Sequence, residues 1–143
     1  MRNKVFGRKL GRDTDTRKAL LRSIVAAVVK NGSIITTKPK AKFVQGFVDK
    51  LVVLVKKDTL AARRMVFAKL GNDKTTTQKL FGDYKLSFGY RKSGFTRIVN
   101  LPKRKGDRAS IVRLEFVDRP VAKKTVEAKK IKVGLTKPQV KKE

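Results

Sequence analysis

Two glycines set among cations stand near the start of the chain, in Gly7-Arg8-Lys9-Leu10-Gly11-Arg12, with Arg2 and Lys4 just before them. Residues of these types can hold phosphate in two ways. One is a nucleotide-cradling loop, which needs Gly-x-x-x-x-Gly-Lys-Ser/Thr between a strand and a helix. Here Gly11 is followed by Arg12-Asp13, no strand precedes, and no partner carboxylate strand is evident. The other is a cationic strip that lies along a polyanion, the glycines letting backbone approach the phosphates. Arg17, Lys18 and Arg22 continue the strip onto the first turns of a helix, whose N-terminal field adds to the attraction.

Further cations recur along the chain. Lys38, Lys40 and Lys42 open a second helix and read equally well as a solvated face or a phosphate contact. Arg63-Arg64 is open in the same way. Arg97 sits mid-strand, where it either lines a solvated sheet face or reaches a phosphate. Lys103-Arg104-Lys105-Gly106-Asp107-Arg108 forms a basic turn between two strands, a projecting finger suited to a groove. Phe88, Tyr90 and Phe95 lie beside Arg91 and Lys92 and could stack on unpaired bases, although such aromatics more often pack into their own core.

Composition supports a polyanionic partner. The 143 residues carry 38 Lys+Arg against 11 Asp+Glu, a net charge of +27 that opposes compaction until an anion neutralises it. An anionic membrane is a weaker match, since it usually recruits one amphipathic helix, and no apolar run approaches the roughly 18 residues of a span. There is no Cys and no His, so disulfides, thiolate metal sites and the usual neutral-pH base are excluded. Among the acids, Asp13, Asp58 and Asp107 are explained as caps and turns, and no Ser/His or Cys/His pair can form. A carboxylate metal site would be costly in so positive a field, so catalysis finds little support and no cofactor is expected. A cytoplasmic setting follows.

The elements that must position these cations are legible in the periodicity. Asp13, Thr14 and Asp15 are candidate N-caps for a helix from about Thr16 to Lys30, closed by Asn31-Gly32. Ile34-Ile35-Thr36-Thr37 reads as a strand. Thr37 caps a second helix with Pro39 in its first turn and a stripe of Phe43, Val44, Phe47, Val48, Leu51, Val52, Leu54 and Val55. Gly46 inside that helix costs about 1 kcal/mol of propensity and marks a close approach. Asp58 or Thr59 opens a third helix that ends at Gly71-Asn72, and residues 73–83 hold a fourth, short one. From Phe95 the period changes to two, giving antiparallel strands at Phe95–Leu101 and Ile111–Val117. The fold class expected is α/β in the broad sense (α+β): three to four helices on a small three-stranded mixed sheet. An extended basic segment (1–12) precedes the globular region (13–117), and a Lys-rich tail (118–143), disordered in isolation, follows it.

Six motifs in register make the chain resemble the bacterial-type large-subunit ribosomal protein L-seventeen family. They are Gly7-Arg8-Lys9-Leu10-Gly11-Arg12, Arg17-Lys18-Ala19-Leu20-Leu21-Arg22, Ile34-Ile35-Thr36-Thr37 with Lys40-Ala41-Lys42, Ala62-Arg63-Arg64, Gly94-Phe95-Thr96-Arg97-Ile98, and Arg104-Lys105-Gly106-Asp107. Asn3, Thr16 and Phe95 stand where that family usually has His, His and Tyr. The resemblance implies helices against a three-stranded sheet and a non-enzymatic role in the large subunit. It further implies binding to large-subunit ribosomal RNA on the solvent side near the peptide exit tunnel, as a monomer among neighbouring large-subunit ribosomal proteins, in support of assembly and translation. A match beginning at Met1 argues against a cleaved organelle transit peptide. Two other readings share the charge: a nucleoid DNA-binding protein, which would offer a dimer interface and minor-groove wedges, and an enzyme acting on RNA.

Overall fold

The computed structural model describes residues 8–118. The first helix, α1 (Thr14–Asn31), starts two residues before the expected Thr16, with Asp13 at the N-cap. The Asp13 side chain makes no capping bond; its carbonyl instead accepts from Thr16 Oγ1 at 3.1 Å and from the Arg17 amide at 3.0 Å. Gly32 stops the helix as expected, at φ 76, where its N–H donates to the Val28 carbonyl. Ile24, Val25, Val28 and Val29 form the buried stripe.

Strand β1 (Ser33–Thr37) leads directly into α2 (Lys38–Lys57), with Thr37 at the N-cap and Pro39 in the first turn. Helix α2 is the central element: Ala41, Val44, Val48, Leu51, Val52 and Val55 are all buried. Each large one contributes about 1.5–3 kcal/mol. Phe43 and Phe47, expected in that stripe, are only half-buried at its edge. Asp58 ends α2 at φ 47, and Thr59 caps α3 (Leu60–Lys69) by accepting from the Ala62 amide at 3.1 Å. Gly71 (φ 72) and Asn72 (φ 65) then turn the chain.

The fourth helical region differs from the expected short helix. It runs as α4 (Lys74–Lys79), capped by Asp73, then a π-helical turn (Leu80–Tyr84) and the single turn α5 (Lys85–Ser87). Leu80, Tyr84 and Phe88 are all buried, in steps of four residues. An α-helix overshoots a full circle by about 40° per four residues, and the wider π turn takes that drift back.

Strands β2 (Thr96–Asn100) and β3 (Ile111–Phe116) form a hairpin, each slightly shorter than expected. The sheet order is β1-β3-β2, with Ile34 opposite Leu114 and Ile98 opposite Leu114 on the other side. Every ladder is therefore antiparallel, which corrects the expectation of a mixed sheet. β1 and β2 do run parallel, but β3 lies between them, so no parallel neighbours exist. Val112, Leu114 and Phe116 point into the core with Ile34 and Ile98. Tyr84, Phe88, Phe95 and Phe116 form an aromatic cluster there, with centroids 4.6–5.7 Å apart. The helices cover one face of the sheet; Ile35, Arg97 and Arg113 stand exposed on the other.

Candidate nucleic-acid interface

The described part of the N-terminal strip is not extended. Leu10 (φ 54) and Gly11 (φ 63) both take left-handed backbone, and the Arg12 amide donates to the Lys9 carbonyl at 3.1 Å. Arg8, Lys9 and Arg12 around this tight turn are all exposed. Arg17 Nη2 locks the turn to the helix by donating to the Arg12 carbonyl at 3.1 Å. Arg2 and Lys4 lie outside the described residues, as do residues 119–143 of the basic tail.

Two adjoining grooves gather cations that are far apart in sequence. One is lined by Arg8, Leu21, Lys42, Phe43, Gly46, Phe47 and Lys50, the other by Lys18, Leu21, Arg22, Phe47 and Lys69. Leu21 and Phe47 are common to both, so the N-terminal turn, α1, α2 and the end of α3 share one basic surface. No carboxylate lines either groove. Lys50 and Lys69 were not singled out from sequence. Lys50 follows Lys42 by eight residues on one helix face, a signal that was available, whereas only tertiary packing brings Lys69 there.

Several other expected cations are committed inside the chain. Arg22 lines the groove but also donates from Nε to the Lys69 carbonyl at 3.2 Å, satisfying the end of α3. Its guanidinium lies where a Cβ on Gly71 would come within 3.1 Å, so that position stays glycine. Arg63 donates twice to Asp58 Oδ1 and lies 5.1 Å from the Phe81 ring centroid. Lys85 holds the other Asp58 oxygen at 2.5 Å, and these bonds, Lys85 first, lower the Asp58 pKa. Arg64 is exposed above a separate groove with Phe67, Lys74 and Gln78.

On the open sheet face, Arg97 Nε lies 2.5 Å from Glu115 Oε1 and Arg113 Nε lies 3.1 Å from Oε2. Register sets this arrangement, because Arg97 is the direct cross-strand partner of Glu115. At the hairpin tip Arg104 makes a two-pronged bond to Asp107, which also accepts from the Ala109 amide. The Arg104 bond, chiefly, pulls the Asp107 carboxyl down to about 2. Lys103, Lys105 and Arg108 remain exposed around this braced turn. Lys38 and Lys42 are exposed and Lys40 is half-buried at the start of α2. Of the stacking candidates, Phe88 and Phe95 are fully buried and only Tyr90 is exposed.

The family model described as Ribosomal protein L17 matches residues 20–117. The chain belongs to the Ribosomal protein L17 family. The Large ribosomal subunit protein bL17 of Pelagibacter ubique is 39% identical over 130 residues, covering 91% of this chain and 89% of that one. The protein of the same name from Myxococcus xanthus is 42% identical over 120 residues, covering 84% and 86%. That from Campylobacter lari is 42% identical over 117 residues, covering 82% and 99%. The L17 match spans all three strands, all of α2, α3 and α4 and most of α1, so it covers the braced hairpin and every groove cation except Arg8 and Lys18. Among the described residues no helix is long and apolar enough to cross a membrane, and no three carboxylates cluster as a metal site would require.

Proposed function

We propose that this chain is a non-enzymatic structural constituent of the large ribosomal subunit that clamps ribosomal RNA between the N-terminal turn and the helices. The observation that carries this reading is the convergence of Arg8, Lys18, Arg22, Lys42, Lys50 and Lys69 on one surface whose lining holds no carboxylate, with Lys18 alone among them paired, to Asp15 at 3.1 Å. Holding so many like charges together raises the local potential, and only a dense line of anions lowers it again. Arg2, Lys4, Lys9 and Arg12 extend the grip from the N-terminal side. Lys103, Lys105 and Arg108 supply a second contact from the hairpin, with Lys38, Lys40 and Arg64 on flanking surfaces. Arg17, Arg22, Arg63, Arg97 and Arg104 hold the shape that presents them. Family membership supports a place on the solvent side near the exit tunnel, among neighbouring large-subunit proteins, where such a clamp would aid assembly and translation.

Removing residues 1–12 tests the clamp. Log affinity for large-subunit rRNA falls with log salt by about 0.9 per duplex phosphate neutralised. The truncated chain should enter subunits poorly and show a shallower salt slope than the full chain. An unchanged slope would remove the N-terminal turn from the interface. Crosslinking of the assembled particle, followed by peptide mapping, should return peptides from 8–22 and 38–50.

A further inference from the structure

Gly46 sits in the interior of α2, where glycine weakens a helix relative to alanine. Nothing in the described chain explains it. A Cβ built there would meet no heavy atom within 4 Å, the residue is exposed, and its φ is not left-handed. Neither packing nor backbone conformation within the described chain requires a missing side chain there.

The surroundings say what would approach. Lys42, Gly46 and Lys50 fall in one row along the helix, spaced four residues apart, so the glycine is a gap one turn from a lysine on either side. The neighbouring row is Phe43 and Phe47, both half-buried, which line the same groove together with Leu21 and Arg8. We propose that this notch seats one unpaired nucleotide of RNA, its phosphate over Gly46 between Lys42 and Lys50 and its base against Phe43 and Phe47. The proposal rests on the rRNA-binding reading and narrows it. A base within a duplex has both faces covered by its neighbours, so a phenyl-lined slot is open only to one that has left the stack. Bare helix backbone at Gly46 admits the phosphate, and any side chain there would occupy its place.

Substitutions at Gly46 should move stability and binding in opposite directions. In the full chain Gly46→Ala should raise the melting midpoint by roughly 3–6 °C, because it removes a helix penalty and meets no neighbour. The same change should weaken binding to a large-subunit rRNA transcript about threefold, and Gly46→Leu about tenfold or more. Phe47→Leu keeps an apolar side chain but removes the ring, and should cost about fivefold or more. The melting measurement shows that each variant is folded. If both Gly46 variants melt higher and bind the transcript as the unaltered chain does, the notch is overturned while the rRNA reading stands. If they bind the transcript normally but fail to enter subunits, the notch belongs to a protein neighbour and the proposal is again overturned. If the unaltered chain does not bind the transcript at all, the rRNA reading fails and takes the notch with it.

Discussion

The helical groove leaves most of its cations without a carboxylate, whereas the outer sheet face and the hairpin pair their arginines with one. In the groove, Arg8, Lys42, Lys50 and Lys69 have no carboxylate within ion-pair distance among the described residues, while Lys18 holds Asp15 at 3.1 Å and Arg22 a backbone carbonyl. On the hairpin, Arg97 and Arg113 share Glu115 and Arg104 grips Asp107 at 2.5 Å; beyond the strand ends Arg91 holds Asp118 at 2.7 Å. A phosphate entering the groove displaces water and counterions, whereas one reaching Arg97 must compete with a carboxylate already in place. The two regions also differ in residue type. The paired cations of the hairpin are arginines, whose planar fork suits a fixed carboxylate, and the open groove is mostly lysine. The total of 38 Lys and Arg residues therefore overstates the cations free to bind, since seven of them are held by carboxylates among the described residues.

Neutralising each region separately should produce the largest contrast. Replacing Arg8, Lys42 and Lys50 by Gln should flatten the salt slope of rRNA binding by about 2–3, at 0.7–0.9 per phosphate released. Replacing Arg97, Arg104 and Arg113 by Gln should change that slope by less than about 1. Equal changes in slope, measured by filter binding over a salt series, would abolish the distinction between the two regions.

Stability should show the reverse order. Glu115 is largely shielded, with a side-chain exposure of 14%, and separates two arginines that would otherwise repel across the strands. Glu115→Gln should cost about 1 kcal/mol, after allowing for the exposure of both arginines, and lower the melting midpoint by roughly 3–6 °C. The groove triple variant should melt at or above the unaltered chain, since it removes repulsion and no internal bond. A lower midpoint for the groove variant than for Glu115→Gln would show that the lysines brace the fold after all.

The same contrast explains what the sequence could and could not reveal. Local signals carried well: Gly32 as a helix stop, Thr37 before Pro39, Thr59 as a cap, and the period-two pattern of β3 each depend on a few neighbouring residues. Order within the sheet did not carry, because the antiparallel sandwiching of β3 between β1 and β2 is decided by a crossover of more than fifty residues. The π turn was hidden for a related reason: Leu80, Tyr84 and Phe88 announce themselves only once the buried face is known. Among the cations, sequence placed Arg8, Lys18, Arg22 and Lys42 on candidate surfaces, and all four line the grooves. It could not tell that Arg22 also closes the end of α3 or that Arg97 faces Glu115, 18 residues away. Charge type is local information, but whether a charge is already satisfied is tertiary.

The finest test of that distinction lies at the hairpin tip. Asp107 is held near a pKa of about 2, first by Arg104 and then by the Ala109 amide, against an ordinary value of 3.8. Because the folded value is the lower one, the contribution of this pair is present above about pH 4 and is lost as pH falls from there toward 2. The side chains are exposed, so the effect on global stability is small and the useful readout is local. The Asp107 carboxyl, followed by NMR, should titrate near 2 in the unaltered chain and return toward 3.8 in Arg104→Gln, with the Ala109 amide shifting in step. A midpoint that stays near 2 in the variant would mean that backbone donors alone hold the carboxylate charged. Arg104 would then be as free to meet phosphate as Lys103 and Lys105 beside it, and the tip would belong with the groove rather than with the paired sheet face.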